Sequence, residues 1–340
     1  MQAARYSGQR SVALQEVAEP EPGPGEVLVR VRACGICGSD LHAFRGSNPG
    51  RTTTPGHELA GEIVELGPEV SGWDRGTPVA IEPWDRCTRC AICQGDDYQL
   101  CSERALIGGG VDGGLAEYVK VPAYVLRPLP SELSGVEGAL AEPMGVAVHG
   151  VRLARVAPGD RVLVQGSGVI GLFCTLAARA AGAEVTATAR YPHQAEAAER
   201  LGARWVYPAD EAGERELAER AAKEPFDVVL ESVGGEADTL VRAPTLVRPG
   251  GTVCVLGLFF QPPRVGAMAL VGKEIRMVGS AIYGRADGVY DFSRGIDLLS
   301  ANRDLAASLI THRRPLDAVA EAFALADDKS SQALKVIVEP

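Results

Sequence analysis

The 340-residue chain contains no apolar run of about 18 residues, the length a membrane-crossing helix needs. The best candidate, from Gly168 to Ala178, is closed by Arg179. A positive balance is also missing: 34 Lys and Arg stand against 44 Asp and Glu, a formal net charge of −10. Neither nucleic acid nor an anionic membrane has an electrostatic claim on such a chain. Met1–Arg10 is polar and has no apolar core of a secretory signal, so a soluble cytoplasmic protein is expected. No fixed-period repeat or low-complexity tract is present. The composition, 46% hydrophobic and 23% charged, is that of a globular protein, and the length suits two domains.

Cysteine is sparse except in one place. Of the eight, Cys87, Cys90, Cys93 and Cys101 fall inside fifteen residues as C-x2-C-x2-C-x7-C. A reducing compartment disfavours disulfides, so the cluster reads first as a metal site. Four thiolates on a short lobe close a tetrahedron around zinc and leave no position for substrate, which makes the site structural. A second set is dispersed: Cys37, then His57 and Glu58 on the loop Pro55-Gly56-His57-Glu58. One thiolate, one imidazole and one carboxylate suit a catalytic zinc with a position left open. Around both sets, Ser11–Lys120 reads as short strands cut by Gly and Pro. Glu26–Arg32 alternates apolar and polar residues, and Glu62–Glu65, Pro78–Glu82 and Ala116–Val121 are shorter candidates.

The middle third changes character. The apolar strand Arg161–Gln165 runs directly into Gly166-Ser167-Gly168-Val169-Ile170-Gly171 and then a helical stretch. In this strand–turn–helix setting G-x-G-x-x-G has a mechanism: a tight turn at Gly166, close approach of a pyrophosphate at Gly168, and helix packing at Gly171. Val169 and Ile170 open the helix whose N-terminus faces the diphosphate. Strand and helix patterns alternate onward to Leu256, predicting a doubly wound parallel sheet. The second strand ends in Ala189-Arg190, where an NAD site usually places a carboxylate against the ribose 2′-hydroxyl. With no acid to repel a 2′-phosphate and Arg190 available to pair with one, NADP(H) is favoured over NAD(H). His193 adds a further donor; the competing reading makes Arg190 a solvated loop charge.

These features together resemble the zinc-containing medium-chain alcohol dehydrogenase family over nearly the whole chain. Gly35-Ile36-Cys37-Gly38-Ser39-Asp40-Leu41-His42 is similar to its catalytic-zinc segment, Gly56-His57-Glu58 to its second ligand loop, and the four-cysteine lobe has its spacing. Ala141-Glu142-Pro143 resembles the sorbitol, threonine and glucose dehydrogenase branch. The resemblance implies that Cys37, His57 and Glu58 ligate the catalytic zinc, with Glu142 completing the sphere directly or through water. It implies a proton relay through Ser39 and His42, a structural partner for His57 in Asp40, and a pyrophosphate contact from Lys335. Gly38 stands where simple alcohol dehydrogenases often carry a second basic residue, so that grip is absent.

The same resemblance implies a Rossmann cofactor domain, residues 147–283, inserted in a mostly β GroES-like catalytic domain formed by 1–146 and 284–340. It also implies a homodimer or homotetramer paired along the strand Glu274–Ala281, since an exposed apolar edge needs cover. Activity is expected to be hydride transfer between NADP(H) and a secondary alcohol, diol or polyol, with a ketone in reverse. The rivals are an NAD-dependent polyol dehydrogenase and a non-catalytic cofactor-binding protein of the same fold. Phe44, Trp84 and Tyr283 are candidate pocket walls, each equally consistent with core packing. Polyol-specific relatives tend to carry a Tyr after the motif His and an Arg beside the late Tyr. Ala43-Phe44 and Ile282-Tyr283 stand here instead, favouring a less hydroxylated alcohol, diol or cyclitol-like ketone.

Overall fold

Alternating side chains make Glu26–Gly35 the central strand of a seven-stranded sheet, longer than the predicted Glu26–Arg32. The structure, a computed structural model, describes residues 1–47, 50 and 52–340. Two units divide the chain: Met1–Glu142 with 285–289 and Gly295–Pro340, and Pro143–Gly284 with 290–294.

In the first unit, Glu26–Gly35 pairs antiparallel with Glu58–Leu66, Tyr118–Pro122 and Lys335–Glu339. Val27, Val29 and Val31 point into a core with Leu59, Ile63, Val119, Val121, Val336 and Val338. The register sets Gly35 opposite both Glu58 and Ile337. Residues from three distant parts of the chain therefore meet at one end of the sheet. The helix Val319–Asp327 covers this core, with Phe323 packed on Phe44 and Tyr6.

The second unit is the predicted doubly wound sheet. Its parallel strands are β1 (Arg161–Gln165), β2 (Glu184–Ala189), β3 (Trp205–Pro208), β4 (Phe226–Glu231), β5 (Val247–Val255) and β6 (Arg276–Gly279). Their order is 3-2-1-4-5-6, which reverses beside β1 and makes the nucleotide crevice of such folds there. Helix α1 (Val169–Ala180) follows β1, and α2 (Pro192–Arg200) follows β2.

Residues 143–146 and 290–294, which the sequence reading assigned to the outer domain, group with this second unit. Charge and packing explain it. Buried Asp291 accepts from His149 Nδ1 at 2.7 Å, Arg152 Nε and Nη2 at 2.8 and 2.7 Å, and the Gly284 N–H at 3.1 Å. Phe292 meets Tyr283 edge to face at 5.3 Å, and a Cβ on Gly145 would crowd the Phe292 backbone and touch both rings.

Candidate metal and cofactor sites

Strand ends build the dispersed metal set. Cys37 follows Glu26–Gly35 and caps the short helix Gly38–His42; His57 precedes Glu58, the first residue of its strand. One donor atom from each of Cys37, His57 and Glu58 lies within 4.8 Å of the others. Asp40 is buried; its Oδ2 accepts from the Cys37 N–H at 3.0 Å and lies 3.7 Å from His57 Nδ1. Gly35 is required where it stands, because a Cβ there would overlap the Glu58 carboxylate.

The electrostatics call for a cation. Burial pushes the His57 imidazole down, but the Asp40 carboxylate and Cys37 thiolate outweigh it and hold it well above its ordinary range. Burial, reinforced by Glu58 and Asp40 against the opposing pull of His57 and Lys335, lifts Glu142 to about 7. A divalent ion among one thiol, one imidazole and two carboxyls displaces such protons, so the donor set fits zinc.

Lys335 is buried against Glu58 of this set. It is 2% exposed, and its Nζ donates to Glu58 Oε1 at 2.8 Å, Glu58 Oε2 at 2.5 Å and the Ile36 carbonyl at 3.1 Å. Those contacts match the three protons of the ammonium. The strand register that brings Lys335–Glu339 beside Glu26–Gly35 is the reason for them. Ser39 and His42 share the helix Gly38–His42, three residues apart and both half-buried. Burial and the Arg45 guanidinium hold the His42 imidazole below its ordinary range.

In the four-cysteine lobe, Sγ–Sγ separations are 3.7 Å (Cys87–Cys93), 3.9 Å (Cys90–Cys101) and 3.6 Å (Cys101–Cys87). A tetrahedron with Zn–S bonds of about 2.3 Å has edges of about 3.8 Å, so the thiols already stand at zinc-binding spacing. Backbone N–H groups of Arg89 and Cys90 draw the Cys87 thiol down to about 6, while burial pushes Cys93 up to about 12.

The glycine turn carries its expected constraints. Gly166 has φ +93°, Gly168 caps α1, and a Cβ on Gly171 would run into the Gly166 carbonyl. Val169 and Ile170 form the first turn of α1. Gly166 N–H donates to Thr188 Oγ1, and Ser167 Oγ to the Thr188 carbonyl, both at 2.9 Å. The turn is thereby tied to the end of β2, where buried Ala189 precedes exposed Arg190 and half-buried His193 opens α2.

Each candidate pocket aromatic has packing contacts within its own unit. Phe44 is in the first core, 5.3 Å from the Phe323 ring, and Tyr283 is fully buried against Phe292. Trp84 is half-buried beside the segment that carries the cysteines; its Nε1 donates to the Gln99 carbonyl at 2.9 Å and Arg104 lies over its ring. Sequence reasoning missed Gly35 and the Glu58–Lys335 pair, for which only strand register is a signal.

Residues 23–131 match the alcohol dehydrogenase GroES-like domain, and residues 169–301 match the zinc-binding dehydrogenase domain. The chain is 33% identical over 307 residues to L-galactonate-5-dehydrogenase of Escherichia coli (strain K12), covering 89% of this chain and 88% of that one. It is 33% identical over 334 residues to sorbitol dehydrogenase of Halalkalibacterium halodurans, covering 96% and 95%. A solved structure from Sinorhizobium meliloti 1021, described as a zinc-binding dehydrogenase and bound to NADP, superposes with TM-score 0.88. That match is at 32% identity and covers 100% of this chain and 99% of that one.

Proposed function

The chain belongs to the zinc-dependent medium-chain alcohol dehydrogenase family, and from that premise we propose that it transfers hydride between NADP(H) and a secondary alcohol, diol or polyol, with a ketone in reverse. The observation that carries this reading is the convergence of Cys37, His57 and Glu58 donors within 4.8 Å of one another. These three hold the catalytic zinc, and Glu142 joins them directly or through water. Cys87, Cys90, Cys93 and Cys101 hold a second, structural zinc.

When bound, zinc supplies Lewis acidity at the substrate oxygen and the nicotinamide exchanges the hydride. Ser39 takes the hydroxyl proton, and His42, one helical turn on, passes it outward. Burial and Arg45 lower the proton affinity of His42, which favours its neutral, proton-accepting form. Asp40 keeps the His57 ring oriented.

The missing carboxylate at the end of β2 and the presence of Arg190 support NADP(H), and the NADP-bound Sinorhizobium structure agrees with that choice. The relatives' names, a galactonate and a sorbitol dehydrogenase, set polyols beside the less hydroxylated alcohols favoured above. A homodimer or homotetramer is part of the proposal: exposed Leu258, Phe260, Met268 and Val271 lie in the chain between β5 and the edge strand β6.

The test is the change in near-ultraviolet absorbance on mixing zinc-replete protein with secondary alcohols, diols, polyols and cyclitols, each with NAD and with NADP. Chelator-sensitive, NADP-linked turnover is expected. Turnover that survives complete removal of zinc would overturn the proposal.

A further inference from the structure

At the end of β2 the chain places a cation, an aromatic ring and an imidazole in sequence, and the structure stacks them. The Tyr191 and His193 rings are nearly parallel, 13° apart with centroids at 5.6 Å. The Arg190 guanidinium carbon lies 5.7 Å from the Tyr191 ring centroid, inside the range of a cation–π contact. Tyr191 thus contacts both Arg190 and His193. The plate is anchored at both ends. Upstream, Thr188 is bonded to the Gly166 N–H and the Ser167 hydroxyl of the glycine turn. Downstream, the Arg190 N–H donates to Gln194 Oε1 at 3.3 Å in the first turn of α2.

We infer that Tyr191 is a specificity-determining residue: its ring holds Arg190 and His193 together as one preformed receptor for a nucleotide 2′-phosphate. The inference rests on the NADP reading above, and adds the residue that organises the two donors. An arginine free in solvent gives up much rotamer entropy on pairing with an anion; one already held over a ring gives up less. His193, stacked on the same ring, contributes an imidazole N–H. Neither Arg190 nor His193 requires Tyr191 for its charge. Both require it for their place.

Calorimetric titration of the full, zinc-replete chain with adenosine 2′,5′-bisphosphate and with 5′-AMP separates the possibilities, because the two probes differ only by the 2′-phosphate. Wild type is expected to bind the bisphosphate more tightly than 5′-AMP. Tyr191→Ala should weaken the bisphosphate about tenfold and leave 5′-AMP within about twofold, while Tyr191→Phe keeps the ring and the affinity. Arg190→Ala should remove most of the discrimination. Equal weakening of both probes by Tyr191→Ala would place the ring under the adenine and overturn the inference. So would an unchanged Tyr191→Ala, or a Tyr191→Phe as weak as Tyr191→Ala. Wild type that fails to discriminate, with 5′-AMP still bound, would remove the NADP reading itself and the inference with it.

Discussion

Replacing Lys335 by Met tests what the buried ammonium does. Its three protons go to the two Glu58 oxygens and to the Ile36 carbonyl, and both partners of the ion pair are almost entirely buried. Removing one member of a buried pair leaves the other charged and unsatisfied, at a cost of about 3–5 kcal/mol. Zinc-free Lys335→Met protein should lose about that much stability. With zinc bound, a dication faces Glu58 and relieves most of the penalty, leaving a loss of about 1 kcal/mol from packing and the Ile36 carbonyl. The difference between the states, about 2–4 kcal/mol, must appear as tighter zinc binding, at least about thirtyfold. Denaturant unfolding of wild type and variant, each zinc-loaded and chelated, measures both losses; competition against a chromophoric chelator measures the affinity. Equal losses in the two states, or weaker zinc binding in the variant, would refute the assignment of Lys335 as counter-charge to the metal site. Loss of NADP affinity with unchanged zinc affinity would return Lys335 to the pyrophosphate.

Three further outcomes are expected. Cys93→Ser should lower zinc content from two to one per chain and reduce the melting temperature, because the lobe's thiols stand at tetrahedral spacing and few apolar side chains support it; two zinc ions and unchanged melting would count against a structural site. Ala189→Asp with Arg190→Leu should move preference towards NAD, measured as the ratio of kcat/KM for the two cofactors, since a carboxylate repels the 2′-phosphate and accepts from the 2′-hydroxyl. Asp291 is pushed up by burial but held down to about 2 by bonds from His149 and Arg152. Its native value lies below the unfolded one, so its contribution, about 2 kcal/mol, is present above pH ~4 and fades as pH falls towards ~2. Asp291→Asn should flatten the pH dependence of unfolding in that window, and an unchanged slope would deny the pair its role.

Much of the fold was legible because its signals are local. A strand that ends in Gly166-Ser167-Gly168 and enters a helix is specified within eleven residues; β1 falls on its predicted bounds and β2 ends at the predicted Ala189. The grouping of Cys37, His57 and Glu58 was legible for a similar reason: these residues sit at strand ends beside turns, Gly56 at φ +97° being the plainest case. The aromatic side chains were not. Phe44 follows a short helix in a segment of irregular turn, where no period tells which face is inward, and the structure turns it onto Phe323.

The charged residues illustrate the remaining limit. Glu58 and Lys335 are 277 positions apart, and nothing local to either names the other. What joins them is register: Gly35 opposite Glu58 on one side and Ile337 on the other, with no side chain on Gly35 to keep them apart. A basic residue near the C-terminus of a nucleotide-binding protein is naturally read against a phosphate, since the phosphate is the obvious anion. In this chain the ammonium meets a carboxylate of the protein itself, that of buried Glu58. At the proposed metal site such an ammonium lowers the cost of burying the carboxylate while no cation is bound, a requirement on folding rather than on the reaction.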